Sequence, residues 1–232
     1  MEFNFFTFIF LFAILTSVVA LLWLNFRQDR AIKISFNEVP EDFKETITLE
    51  DHQKAGHYTQ AKLLANHFEI IFSTIVLLIW TLGGAMNWLD VFWHERISDP
   101  IFLGTVFILS IMFIASFIDL PFSIYRNFIL EERFGFNRMT IKTFIGDLIK
   151  ELVLTFALGT PLIYVILYLM NMSAIGDYWW IYVWAILSLF TIILIWIYPT
   201  FIAPIFNKFK PLENNSLRNR IDNLLERTGF GS

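Results

Sequence analysis

Five long apolar runs alternate with charged stretches along this chain: Phe3–Phe26, Ile70–Leu89, Ile101–Ile118, Leu152–Met170 and Trp179–Tyr198. A helix needs about 20 apolar residues to cross the hydrocarbon core of a bilayer, so each run is a candidate span. Gly83, Gly84 and Asn87 interrupt the second run in its C-terminal half. The first run does not read as a cleaved leader. Its flank is Met1-Glu2 with no basic residue, and it exceeds the ~7–15 apolar residues of a secretory signal.

The polar segments carry helical signals of their own. Thr48-Leu-Glu-Asp51 is a capping-box pattern, and beyond Gly56 neither Pro nor Gly interrupts the chain up to Leu82. A helix of about 35 residues at ~1.5 Å each would reach on the order of 50 Å, so span two extends out of the bilayer as a polar helix. His52, His57 and His67 fall on it as solvated surface, because none forms the i, i+4 pair that a helical metal site uses. In Glu131 to Lys150, "EERFGFNRMTIKTFIGDLIK", Gly135 before Asn137 predicts a turn. Phe144, Ile145, Leu148, Ile149 and Leu152 then recur at helical spacing, which predicts an amphipathic helix leading into span four. Glu131 and Glu132 are adjacent and diverge on a helix rather than sharing a ligand.

After Tyr198-Pro199 comes "FIAPIFNKFKPL", in which Pro204 and Pro211 bracket an apolar turn. Proline removes backbone donors, so the expectation is an elbow rather than more membrane helix. Ser216 then caps a helix with Leu217, Ile221, Leu224 and Leu225 on one face and Gly229 as its stop. That face finds no partner in the remaining sequence, and a further domain is expected to follow.

Composition sharpens the class. The 232 residues are 56% hydrophobic and only 16% charged, with a mean hydropathy of +0.60; a soluble domain is about a quarter charged. The fold class is therefore an all-α polytopic membrane protein whose first partner is the lipid bilayer. A net charge of −4 gives no support to nucleic-acid binding, and the absence of cysteine excludes disulfides and thiolate metal sites. Of the 17 Lys and Arg residues, all but Arg96 fall after span one, between spans three and four, or after span five. The positive-inside rule then places the N-terminus outside or in a lumen and the C-terminus in the cytoplasm. The membrane is a bacterial inner membrane or the endoplasmic reticulum, according to the organism.

Recognisable catalytic chemistry is sparse. There is no GxSxG, Walker loop or CxxC, and "HERIS" begins like HExxH but carries Ser98 where the second histidine belongs. Asp119 in "IDLP" and Glu69 lie near predicted span ends, where interface placement is expected. An acid at mid-membrane costs roughly 2.5–3.5 kcal/mol on insertion scales, and of the two Asp119 is the better candidate for lining a polar cavity.

Tyr125 through "EERFGFNRMT", with Asp147 and Lys150 downstream, resembles the cytoplasmic loop of the Ste-type CAAX prenyl proteases, integral-membrane zinc metallopeptidases. "IAPIFNKFKPL" resembles that family's connector from span five to its catalytic domain, and the five-span layout resembles its N-terminal domain. The resemblance implies an enzyme with seven spans around a water-filled chamber. Zinc would be held by an HExxH helix and a later Glu, and isoprenylated peptides cut near their C-termini. The implied HExxH would follow this sequence, so no catalytic or zinc residue is carried onto this chain, which binds no metal and is inactive by itself. What carries over is a structural set, Glu131, Glu132, Gly135, Phe136 and Asn137 in the loop and Pro204, Phe206, Asn207, Lys208 and Pro211 in the connector. The set is expected to dock against the catalytic domain, with residues 1–204 forming the membrane domain and 205–232 the connector and first helix beyond it. The alternative is a non-enzymatic multispan scaffold or transporter subunit. Transporters usually carry internal repeats and broken helices; no repeat is evident here, and only Gly83-Gly84 resembles a break.

Overall fold

The computed structural model describes residues 4–210 and 215–229. Five long helices dominate: α1 (Phe5–Ser35), α2 (Leu49–Thr81), α4 (Pro100–Phe134), α5 (Ile141–Asn171) and α6 (Gly176–Phe206). Each is long and apolar enough to cross a membrane. Two shorter α-helices join them, α3 (Ala85–His94) and α7 (Asn215–Thr228).

Local sequence explains where the helices begin. Asn4, Thr48 and Thr140 accept hydrogen bonds from the backbone N–H groups of Thr7, Asp51 and Thr143, satisfying donors the first turns leave free. Asp99 does the same for Phe102 at 2.7 Å, with Pro100 following in the first turn, where its missing N–H costs nothing.

The helices outrun the apolar runs. α1 continues past Phe26 to Ser35, supported by an Asp29–Lys33 ion pair at 2.6 Å. Span two does not reach Leu89: α2 stops at Thr81, and α3 starts afresh after Gly84, whose φ of 83° a residue with a side chain adopts only under strain. Span three runs on through Pro121 and a π-helical turn at Arg126–Leu130 to Phe134. Asp119 and Glu69 therefore sit inside helices, not at their ends. The amphipathic helix from Ile141 and span four are one helix joined by a π-turn at Thr155–Gly159.

The elbow expected after Pro199 is also helix. α6 passes through a π-turn at Tyr198–Ile202 to Phe206 and becomes extended only at Asn207. Pro199 lies in the π-turn and Pro204 just after it, where the regular i→i−4 hydrogen-bond ladder is already rearranged. The division drawn between residues 204 and 205 thus lies within α6, and Pro211 lies outside the described residues. α7 begins at Asn215, one residue before Ser216, and exposes Ile221 and Leu224.

Neighbouring helices pack in chain order. α1 lies against α2, α3 against α4, α4 against α5 and α5 against α6. Phe72 of α2 meets Phe122 of α4 at 5.0 Å between ring centroids, and Trp93 of α3 donates to Ser110 of α4 at 3.1 Å. His52 and His57 are not simply solvated. A His52 ring nitrogen lies 2.8 Å from the Ser35 carbonyl, and the His57 ring stands edge-on to Phe36 at the end of α1.

The buried apolar core is small. Among the described residues it comprises Val39, Leu63, Leu89, Leu103, Leu109 and Leu130. The exposed area of 17931 Å² far exceeds the roughly 10,900 Å² expected of a compact soluble monomer of 27.3 kDa. Exposed Phe, Trp, Leu and Ile cover the helices, as a lipid-solvated bundle requires.

Candidate functional site

Polar groups collect in one seam where α1, α2 and α4 meet at the end of the bundle bearing the loop from Gly135. Each helix is apolar along most of its length, but α1 ends in Asn25, Gln28 and Asp29, and α2 begins with its polar extension. Hairpin packing of α1 on α2 brings these stretches together. Asn66 donates to Asn25 at 3.4 Å and Gln60 to Asp29 at 3.1 Å.

α4 closes the third side, and its π-turn carries Arg126 and Asn127 into the seam. One guanidinium nitrogen of Arg126 lies 3.2 Å from Glu69 of α2, and the other 3.7 Å from Asp119 one stretch back along α4. A π-turn inserts one residue per turn and rotates the helix beyond it, so the turn sets which α4 side chains face α2. One step further, the Tyr58 hydroxyl donates to the Glu131 carboxylate. The Tyr58 ring sits edge-on to Phe134 at 5.2 Å and to Phe136 at 5.0 Å, while Lys62 caps its face at 5.1 Å.

These residues enclose a cavity of about 620 Å³. Asn25 and Gln28 line it from α1, Thr59, Asn66 and Glu69 from α2, and Ser123, Asn127 and Glu131 from α4. Two smaller cavities adjoin it, and Asp119 lies on the walls of both. One shares Asn66 and Glu69 with the large cavity, the other Ser123 and Asn127, and Asp147 and Glu151 of α5 reach the latter.

The loop residues singled out from the sequence fall at the rim of this site. Gly135 has φ 77° and ends α4: its N–H reaches the Glu132 carbonyl at 3.0 Å and the Phe136 N–H the Glu131 carbonyl at 2.9 Å. Asn137 holds the loop beyond, donating to Glu132 at 2.9 Å and accepting from the Met139 N–H at 2.7 Å. The connector residues lie elsewhere, at the end of α6. There Lys150 stands over the Phe206 ring at 5.6 Å while also bonding Asp147 at 3.0 Å. Pro204 is helical, Asn207 is the extended residue that stops α6, and Lys208 follows it.

Sequence reading missed the centre of the site. Tyr58, Asn25, Asn66 and Arg126 carry most of its contacts, and none of them stands out along the chain as a site residue. The available signal was the pair of asparagines: Asn25 closes an apolar run, and Asn66 sits just before one. His94 and Glu95 close α3, so no helix continues toward Ser98. Among the described residues no three His, Asp or Glu side chains converge to hold a metal ion. The described residues therefore do not fit a zinc site.

Five helices long and apolar enough to cross a membrane, three of which meet at a polar seam, define a polytopic helical membrane protein. Residues 28–208 match the family described as CAAX prenyl protease N-terminal, five membrane helices, and the chain belongs to that family. A CAAX prenyl protease 1 homolog of Dictyostelium discoideum is 37% identical over 216 residues, covering 90% of this chain and 49% of that protein. CAAX prenyl protease 1 of Saccharomyces cerevisiae is 30% identical over 221 residues, covering 90% and 47%. The crystal structure of S. mikatae Ste24p superposes with a TM-score of 0.80 at 29% identity, covering 94% of this chain and 51% of that one. The chain spans about half the length of the curated relatives it matches.

Proposed function

We propose that this chain is the membrane domain of a zinc metalloendopeptidase that cleaves isoprenylated or otherwise membrane-proximal peptides near their C-termini. Family membership over residues 28–208 carries the reading, and the TM-score of 0.80 to Ste24p supports it. In this reading zinc and the carboxylate that activates water belong to a further catalytic domain, because the described residues of this chain offer no donor set. This chain supplies helical walls of a polar chamber, with Asp119 on its lining, and has no peptidase activity by itself.

The loop of Glu131, Glu132, Gly135, Phe136 and Asn137 and the connector of Pro204, Phe206, Asn207, Lys208 and Pro211 dock that domain from the cytoplasmic side. Residues up to 204 form the membrane domain, and 205–232 lead away from it. The N-terminus faces the lumen and the C-terminus the cytoplasm. The relatives named above come from eukaryotes, which favours the endoplasmic reticulum.

The test is zinc content and cleavage by the purified full-length protein and by residues 1–232. The substrate is a peptide whose S-farnesyl cysteine lies three residues from its C-terminus. Stoichiometric zinc and cleavage in the full-length protein alone is the expected result. Zinc in the 232-residue chain, or no cleavage in either, overturns the reading.

A further inference from the structure

One face of α4 and one face of α5 change character together. On α4, Leu109 and Met112 give way to Ser116, Asp119, Ser123 and Asn127 at helical spacing toward the Gly135 end. On α5, Leu162, Gly159 and Thr155 give way to Glu151 and Asp147 toward the same end. The two faces line successive cavities. An apolar groove of about 660 Å³ between α5 and α6 meets, at Met112 and Thr155, a space of about 170 Å³ between α4 and α5. That space shares Ser116 and Glu151 with the cavity of about 330 Å³ on which Asp119 lies. The result is one continuous track, apolar at one end and acidic at the other.

The apolar end is built irregularly. The π-turns at Thr155–Gly159 of α5 and Tyr198–Ile202 of α6 both wall the groove. Such turns depart from the regular hydrogen-bond ladder and are frequent at functional sites. Among the described residues, Thr155 and Tyr198 carry the only polar side-chain atoms on its lining. A hydrocarbon chain suits such a groove, and the acidic end of the track decides which kind. The charged groups on the two adjoining spaces are all carboxylates, Asp119, Asp147 and Glu151. Asp147 pairs with Lys150 at 3.0 Å and Asp119 lies 3.7 Å from Arg126, which leaves Glu151 without a counter-ion among the described residues. A phospholipid with an acyl chain in the groove would bring its phosphate among these carboxylates, where like charges repel. A lipidated cysteine brings a neutral thioether and peptide groups instead, and prenylated tails usually carry basic residues upstream.

We infer that the groove between α5 and α6 holds the isoprenoid chain of a lipidated cysteine, and that the attached peptide leads past Ser116 toward Asp119. The inference rests on the peptidase reading above and gives the hydrocarbon part of that substrate a place in this half of the protein. At ~1.5 Å per residue, the groove runs about 10 Å along α5 from Thr155 to Leu162 and about 12 Å along α6 from Tyr198 to Phe190. Leu162 and Phe190 close its far end and set the length of chain it takes.

The test compares S-geranyl, S-farnesyl and S-geranylgeranyl versions of one peptide as substrates of the full-length wild type, Leu162→Trp and Phe190→Ala. Trp at position 162 shortens the groove. KM for the farnesyl peptide then rises about tenfold or more, the least that one excluded methylene costs in an apolar pocket. The geranyl peptide stays within about twofold, which also shows that the variant folds. Phe190→Ala lengthens the groove and raises kcat/KM for geranylgeranyl relative to farnesyl by about fivefold or more. An unchanged ranking of the three chains in both variants overturns the inference. Should Leu162→Trp cleave none of them, the ratio in Phe190→Ala decides alone.

Cross-linking separates this failure from failure of the peptidase reading. A farnesyl peptide with a photoreactive isoprenoid is irradiated with the full-length protein, and mass spectrometry reads the labelled residues. If the wild type cleaves nothing, yet label falls on residues 154–162 or 190–202 and is lost in Leu162→Trp, the groove stands and the peptidase reading falls. Label elsewhere overturns the inference. So does labelling of the groove by a photoreactive phosphatidylcholine that excess farnesyl peptide does not displace, which assigns the groove to bilayer lipid.

Discussion

Replacing Tyr58 with Phe removes one oxygen from the contact that fastens α2 to the end of α4. The hydroxyl donates to Glu131, and the ring, wedged between Phe134 and Phe136, keeps its packing in the variant. A hydrogen bond to a charged group contributes about 1.5–3 kcal/mol. Both side chains are only half-buried, so competing water brings the expected loss to about 1–2 kcal/mol. For a protein of this size that corresponds to a fall of about 2–8 °C in melting temperature. Glu131→Gln keeps the shape and a neutral acceptor, and neutral hydrogen bonds are about half as strong as charge-assisted ones. It is expected to lose about half as much as Glu131→Ala. Thermal unfolding in detergent, followed by the fluorescence of the eight tryptophans, gives each value. Tyr58→Phe combined with Glu131→Ala then measures the coupling, expected at about 1 kcal/mol. If the two losses add within about 0.3–0.5 kcal/mol, the hydrogen bond holds nothing together and the reasoning fails.

Other contacts give sharper contrasts than absolute values. Gly135→Ala at φ 77° is expected to cost about 1–2 kcal/mol although nothing stands within 4 Å of the added methyl, and Gly135→Asn less, as thermal unfolding of both would register. Gly104 lets α4 approach α5 so closely that an added Cβ would lie 2.9 Å from Leu167 Cδ1. Ala there displaces only a flexible side-chain end, whereas Leu should cost about 1–3 kcal/mol, with Leu167→Ala partly restoring the double variant. Asn137→Ala removes bonds to Glu132 and the Met139 N–H and should loosen the loop by about 1–2 kcal/mol, visible as faster amide exchange over residues 135–140. Slow exchange there in the variant would show that the turn holds without its asparagine.

The class of fold is written in one dimension. Runs of about 20 apolar residues must be helical in lipid, because nothing in the hydrocarbon can hydrogen-bond an open backbone. The caps at Thr48 and Thr140, the stop at Gly135 and the stripe from Phe144 to Leu152 are equally local, since each depends on residues within a turn or two. Helix ends resisted the same treatment. Pro121, Pro199 and Pro204 look like terminators, yet α4 continues as helix through Pro121, and Pro199 and Pro204 lie in or just after a π-turn of α6, which continues to Phe206. Family resemblance located the loop and the connector but not the seam. The seam is built from Asn25, Tyr58, Asn66 and Arg126, residues of three helices far apart in the chain. Hydropathy sets each of them down as a lone polar position, and the packing of α1 on α2 and α2 beside α4 gives them partners. The sequence by itself therefore determined that the chain crosses a membrane as helices and where most of those helices start. Tertiary structure alone decided that their scattered amides, hydroxyls and charges converge on one cavity, because a polar group buried among helices is defined by what the neighbouring helix presents to it.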